Sequence, residues 1–298
     1  MIYTVTLNPA IDYNVSLSSA LKSGLNRTQD ETIHFSGKGV NVSVILSRLK
    51  VDNVATGFAA GFTGKALINN LALEGVKNNF FMVDGFTRIN VKIKGEDETE
   101  INGSGPFVDE QSLQNLIDYL KNATNEDIVV LSGSLPKGLK PDTYKRIINE
   151  LTPLGIKTVL DSSGEALKAA ISASPFLIKP NLAELSFVLG KKLTVEKEVI
   201  DGAKTLQKFG AQNILVSMGK LGAVLVLKDG TVLKEEALSG AVINSVGAGD
   251  SLLAGFLAAM NKGNREALRK AVRVGSATAF SDGLASKTIL TKIFNDKQ

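Results

Sequence analysis

The sequence predicts an α/β protein built on a doubly wound, mostly parallel sheet with a small β-sheet lid. Three observations carry this: short β-rich runs alternate with helix-period segments, a late pair of runs reads as a hairpin, and two polar alternating stretches break the β-α order. The candidate strands are residues 2–7, 54–59, 128–131, 158–160, 176–178 and 214–216, each apolar and short enough to be buried on both faces. Helical periodicity covers residues 40–49, 65–73, 112–120, 143–151, 183–189, 199–209, 251–260 and 265–279. Residues 223–227 and 231–234, separated by Lys228-Asp229-Gly230, form an antiparallel hairpin closing the sheet edge.

Residues 12–35 and 88–105 are the stretches that break the alternation. The second contains Ile89-Asn90-Val91-Lys92-Ile93-Lys94, a Gly95-Glu96-Asp97 turn and Thr99-Glu100-Ile101-Asn102, a hairpin with one apolar face. Together the two stretches make a lid, and residues 1–11, 36–87 and 106–298 make the core. An apolar lid face needs cover, so a homodimer through the lid is expected.

Composition narrows the chemistry. With 44% apolar and 21% charged residues the chain is globular, and its net charge of +4 is scattered without a basic block, so nucleic acid is not an expected partner. No cysteine is present, which excludes disulfides and thiolate metal sites and suits a reducing, cytoplasmic setting. The beginning of the chain lacks a leader pattern and no run approaches membrane-spanning length, so no membrane association is expected. His34, the single histidine, lies in an alternating segment and reads as structural or superficial. Acid and base work therefore falls to carboxylates and lysines.

The most informative stretch is Asn244-Ser245-Val246-Gly247-Ala248-Gly249-Asp250, running into an apolar helix. Glycines and a helix N-terminus turn N–H groups toward one point, which suits an anion. Asp250 beside it is either a base facing a phosphoryl group or an acid favoured by the helix dipole. Ligands of open parallel sheets bind beyond the carboxyl ends of strands, where Asn8-Pro9-Ala10-Ile11-Asp12 and Ser132-Gly133-Ser134-Leu135-Pro136 fall. Lys179-Pro180-Asn181-Leu182-Ala183-Glu184 sets Asn181 and Glu184 on one face of a starting helix, either for a hydrated magnesium ion or as ordinary first-turn polarity. Ser36-Gly37-Lys38-Gly39-Val40-Asn41 is another glycine turn with a lysine, a ligand cradle or a plain helix start. Ser217-Met218-Gly219-Lys220-Leu221-Gly222 allows a nucleotide to approach closely, while Arg27 and Arg88 at the lid roots grip a phosphate or are simply solvated. A Walker-type Gly-x-x-x-x-Gly-Lys-Ser/Thr cradle and the protein-kinase motif set are absent, and the late glycine turn fits a dinucleotide fingerprint poorly.

Taken together, Thr6-Leu7-Asn8-Pro9-Ala10-Ile11-Asp12, Gly37-Lys38-Gly39-Val40-Asn41, Lys179-Pro180-Asn181 with Glu184, Ser217-Met218-Gly219 and Val246-Gly247-Ala248-Gly249-Asp250 resemble the ribokinase-like carbohydrate kinases, over essentially the whole chain. The pairing of Lys38 with Arg88 is similar to the branch acting on ketohexose phosphates. Ser36 departs from the pattern, standing where the family often has another glycine. The resemblance implies a ribokinase-like fold, ATP as co-substrate with Mg²⁺, and fructose 1-phosphate as acceptor, with tagatose 6-phosphate and fructose 6-phosphate as alternatives and a non-catalytic sugar-phosphate sensor further off. It implies Asp250 as the base, amides of Gly247, Ala248 and Gly249 around the transferring phosphoryl group, and Asn181 and Glu184 organising Mg²⁺ through water. Asp12, Gly37, Lys38, Asn41 and Arg88 would bind the sugar phosphate, and Lys179, Ser217, Gly219 and Gly222 the nucleotide. Arg27 would reach the substrate of its own or a partner's site.

Overall fold

The computed structural model describes residues 1–295. Strands follow in the order β1 (Ile2–Thr6), β2 (Ala10–Ser16), β3 (Asp30–Ser36), β4 (Asn53–Ala60), β5 (Lys77–Val83), β6 (Arg88–Lys94), β7 (Glu98–Asn102), β8 (Ile128–Ser132), β9 (Lys157–Asp161), β10 (Leu177–Ile178), β11 (Asn213–Ser217), β12 (Ala223–Val226) and β13 (Val232–Glu235). The helices are α1 (Lys38–Arg48), α2 (Gly61–Leu73), α3 (Glu110–Leu120), α4 (Thr143–Leu151), α5 (Gly164–Ile171), α6 (Leu182–Leu189), α7 (Glu196–Lys208), α8 (Ala248–Leu257), α9 (Asn264–Ala279) and α10 (Lys287–Asn295).

Nine strands form one sheet in the order β13-β12-β11-β10-β9-β8-β1-β4-β5, parallel except where β12 and β13 fold back as the expected hairpin. Alternate residues of each parallel strand enter opposite cores. Val129, Leu131, Leu160, Ile178, Ile214 and Val216 meet α3 to α7 on one face. On the other, Val130, Val159, Leu177 and Leu215 meet α1, α8 and α9. Burial on both faces is why these strands read as continuous apolar runs and not as alternating ones.

The second sheet has the order β3-β2-β6-β7, with two antiparallel hairpins joined by the parallel pairing of β2 and β6. Its register sets Asp12 beside Asn90 and Ala10 beside Arg88. One face of β2 and β6 therefore carries Asp12, Asn14, Arg88, Asn90 and Lys92, and the other Ile11, Tyr13, Val15, Ile89, Val91 and Ile93. On that apolar side the outer strands leave Ile33 and Ile101 more than half exposed.

Three elements escape the sequence pattern. β5 begins Lys77-Asn78-Asn79, residue types depleted in strands, and lies on the sheet edge, where one side of its backbone is unpaired. α5 and α10, of eight and nine residues, are the two helices that the sequence pattern passed over. The start of α8 also differs, falling at Ala248 and not at residue 251, because its first turn, Ala248-Gly249-Asp250, carries no apolar stripe for a sequence pattern to show. No helix among the described residues is long and apolar enough to cross a membrane.

Candidate active site

The site lies where β1, β8, β9, β10 and β11 end, under the first turn of α8. Gly247 caps that helix with φ of 79°, a left-handed conformation, and a Cβ there would sit 2.7 Å from Leu284 Cδ2. The N–H of Ala248 donates to the Ser245 carbonyl at 3.2 Å, whereas the N–H groups of Gly247, Gly249 and Asp250 have no protein acceptor among the described residues. The free donors are thus shifted relative to the sequence expectation: Asp250 contributes one and Ala248 does not. Gly247→Ala should lower stability by about 1–2 kcal/mol from the left-handed backbone alone and displace this turn, a loss readable as a lower urea midpoint.

Asp250 is the third residue of α8 and only 7% exposed. Asn41 Nδ2, projecting from α1, donates to its Oδ2 at 2.7 Å. Burial first, and then the negative charge of Asp161, push the Asp250 carboxyl up to about 6; Lys179, the Asn41 hydrogen bond and Lys38 pull the other way. A carboxylate so tuned accepts a proton near neutral pH far better than an ordinary aspartate.

Asp161, at the end of β9, is fully buried between two lysines. Lys38 Nζ, on the first residue of α1, lies 2.8 Å from its Oδ1, and Lys179 Nζ lies 3.2 Å from its Oδ2. The two cations outweigh burial and hold Asp161 below the usual carboxylate range. Lys38 also meets Glu184 Oε1 at 3.0 Å; burial would lower its pKa, yet Asp161 and Glu184 raise it above the ordinary lysine value. Lys179 reaches the glycine turn, since a Cβ on Gly249 would stand 3.4 Å from its Nζ. Lys38, Asn41, Asp161, Lys179, Glu184, Gly249 and Asp250 are therefore one connected cluster. The sequence reading missed Asp161, although its place directly after a strand at the ligand-binding edge is the same signal that singled out Asn8.

Asn181 and Glu184 form a reciprocal cap on α6: Asn181 Oδ1 accepts from the Glu184 N–H at 2.8 Å, and Glu184 Oε2 accepts from the Asn181 N–H at 2.9 Å. Among the described residues no group of three or more acidic or histidine side chains gathers. Magnesium suits such a site only as a hydrated ion taking its other oxygens from substrate phosphates, and the exposed Asn181 with its unused lone pair fits that outer contact.

Toward the lid, Asp12 is buried and accepts from Asn90 Nδ2 at 2.7 Å. Arg88 donates through Nε to the Asn8 carbonyl at 3.2 Å, and its two terminal nitrogens have no protein acceptor among the described residues. That leaves the terminal pair of guanidinium nitrogens open to an anion. Gly37 caps α1 against Thr6 and Pro9. Arg27 sits exposed on the loop between β2 and β3, without a hydrogen bond among the described residues, and does not join the cluster.

On the far side, Ser217 ends β11 beside Asn181, its N–H donating to the Pro180 carbonyl at 3.1 Å. Gly219 faces open space, so its backbone is accessible to a ligand. Gly222 is different: it packs on the Glu235 carbonyl and closes the turn by accepting from the Met218 N–H at 2.8 Å. Its function in the fold is to hold the hairpin close.

A buried carboxylate poised near neutral pH, set against free helix-terminal amides and two lysines under a polar lid, defines a phosphotransferase site on an α/β fold. The family model for pfkB family carbohydrate kinases matches residues 5–289. The chain is 42% identical to a 1-phosphofructokinase of Bacillus subtilis (strain 168), over 98% of this chain and 97% of the relative. It is 40% identical to a D-tagatose-1-phosphate kinase of Bacillus licheniformis, over 95% and 94%. Among solved structures, phosphofructokinase-2 from Escherichia coli superimposes with a TM-score of 0.90 at 29% identity, covering 98% of each chain. The chain belongs to the pfkB family of carbohydrate kinases, with the ribokinase-like fold expected from its motifs. It is an enzyme that moves a phosphoryl group onto an alcohol.

Proposed function

We propose that the protein transfers the terminal phosphoryl group of ATP to the free primary hydroxyl of D-fructose 1-phosphate, giving fructose 1,6-bisphosphate and ADP in the cytoplasm. The observation that supports this best is the buried Asp250, raised to about 6, beside unpaired helix-terminal amides. Asp250 takes the hydroxyl proton as the oxygen attacks, and the amides of Gly247, Gly249 and Asp250 hold charge on the transferring group. Asn41 orients the base through its 2.7 Å bond. Arg88 and Lys38 receive the phosphate already on the sugar, and Asp12 accepts from its hydroxyls. Lys179, Ser217 and Gly219 serve the nucleotide. Asn181 and Glu184 would hold Mg²⁺ through water, and the ion would supply positive charge to the phosphates.

The lid covers the sugar and excludes water that would otherwise accept the phosphoryl group. Its half-exposed Ile33 and Ile101 favour a homodimer that buries this face against a second lid. Arg27, on a lid loop, then reaches the sugar phosphate in its own subunit or across the dimer.

The 40% identity to a D-tagatose-1-phosphate kinase favours one second reading, the same reaction on the C4 epimer. A coupled ADP-release assay with Mg²⁺ and the 1- and 6-phosphates of fructose and tagatose tests both. Highest kcat/KM on fructose 1-phosphate is expected; a higher value on a tagatose phosphate or fructose 6-phosphate overturns the assignment, and no ADP with any of them makes the protein a sensor. Arg88→Ala should raise the KM for the sugar phosphate about 10- to 100-fold, as for a lost charge-assisted contact. The KM for ATP should stay within about twofold of the original, since Arg88 is given no nucleotide contact.

A further inference from the structure

We infer that Asn90 is a positioning residue that sets the Asp12 carboxylate for the sugar hydroxyls, so that acceptor selection depends on an amide that itself need not touch the substrate. The inference rests on the proposed sugar-phosphate reading and adds a specificity determinant to it.

The geometry is a directed chain of hydrogen bonds inside the lid. Gly103 donates its N–H to Asn90 Oδ1 at 3.2 Å, and Asn90 Nδ2 donates to Asp12 Oδ1 at 2.7 Å. Asn90 and Asp12 are 7% and 6% exposed, so water does not substitute for either bond. The amide has one orientation. Flipped, its oxygen would face the Asp12 carboxylate and its NH₂ the Gly103 N–H, two repulsions in a buried setting. Glycine at 103 is required for this chain, because a Cβ there would lie 2.7 Å from the Ile89 carbonyl and 3.1 Å from Arg88 Cβ.

The consequence is an asymmetric carboxylate. Asp12 Oδ1 is filled by Asn90, while Oδ2 has only Lys92 Nζ at 4.0 Å, a charge near it without a hydrogen bond. Oδ2 is therefore the oxygen left to accept from a substrate hydroxyl. Arg88, two residues before Asn90 on β6, projects from the same face of the lid. One strand thus carries both the phosphate anchor and the residue that fixes the hydroxyl acceptor, and their spacing is set by the strand and not by flexible side chains. Sugars that match in phosphate but differ in hydroxyl direction are separated by that fixed spacing.

The test is a double-mutant cycle on kcat/KM for the sugar phosphate, with the KM for ATP as the second readout. Asn90→Ala, and Asn90→Leu as a variant that keeps the volume, should each lower kcat/KM for the sugar phosphate roughly 10- to 100-fold, the loss of one charge-assisted contact. The KM for ATP should not move. In an Asp12→Ala background, adding Asn90→Ala should change kcat/KM less than about twofold, because the group Asn90 acts through is already gone. Losses that multiply, or that fall equally on ATP, overturn the inference, as a loss of lid packing would do. The cycle is run on whichever ketohexose phosphate the unaltered chain turns over fastest. A wrong substrate assignment therefore changes the sugar used, whereas multiplying losses reject the role of Asn90 alone.

Discussion

Asp250→Asn is expected to lower turnover by roughly 10²- to 10⁴-fold, the usual contribution of a positioned general base, while making the protein more stable. The two effects have one origin. Asp250 is held near 6 in the folded chain, against an ordinary aspartate value of 3.8, chiefly by burial and by Asp161. Between those values the folded state binds more protons than the unfolded state, so the contribution of this group to stability falls as pH rises through the window and is most unfavourable above 6. Near neutral pH that amounts to up to about 3 kcal/mol, taking each pKa unit as about 1.4 kcal/mol. Asparagine keeps an oxygen to accept from Asn41 and removes the charge. A higher Tm at pH 7.5 together with collapsed turnover is the expected pair of results. Near-normal turnover in the folded variant would dismiss Asp250 as the base, and a lower Tm would show that its charge is satisfied and not strained.

With Asp250 in its proposed role as base, the same shift predicts the pH dependence of the native enzyme. The carboxylate must be ionised to take a proton, so kcat/KM should fall as pH drops through about 6, and Asp250→Asn should lose that limb.

Much of this site was legible in the sequence because glycines and charged residues at strand ends are unusual in a chain of apolar strands. The turn at Gly247 to Asp250, the caps at Gly37 and Asn181 and the root of the lid at Arg88 all announce themselves locally. Partnerships across the fold do not. Lys38 and Asp161 are joined only because β9 and the start of α1 end at the same edge of the sheet, which no local pattern encodes. Asn90 looked like one more polar residue of an alternating strand, and its role appears once the parallel pairing of β2 and β6 sets it against Asp12. Gly222 shows the opposite case: a glycine in a nucleotide-like turn serves the packing of a hairpin. The edge strand β5 hid for a further reason, since Lys77, Asn78 and Asn79 on the outermost strand are tolerated by solvent access that a central strand lacks.

Asp161→Ala should be the most destabilising change in the site, by about 3–5 kcal/mol, because it leaves a buried cation without its partner. Lys179 is 3% exposed and has no other ion pair among the described residues, whereas Lys38 retains Glu184. The result would be a lower urea midpoint at unchanged m-value; a midpoint within experimental error of the native one would mean that Lys179 finds water or another partner at little cost. Asp161 sits below the usual carboxylate range, so its contribution to stability is present above an ordinary aspartate pKa and is lost as pH falls from there through its depressed value. Unfolding of the native protein in acid should therefore include a component absent from the variant. A second consequence reaches the chemistry through Asp250, whose raised pKa owes its next largest cause after burial to the charge of Asp161. Asp161→Asn, which keeps the shape and removes the charge, should move the acid limb of kcat/KM below 6, since the repulsion from Asp161 is gone and Lys179 then faces Asp250 without a competing anion. An unmoved limb would assign the shift to burial alone. On the proposed mechanism the pair of carboxylates divides the work: Asp161 anchors the two lysines beneath the glycine turn, and its charge would keep Asp250 basic enough to accept a proton.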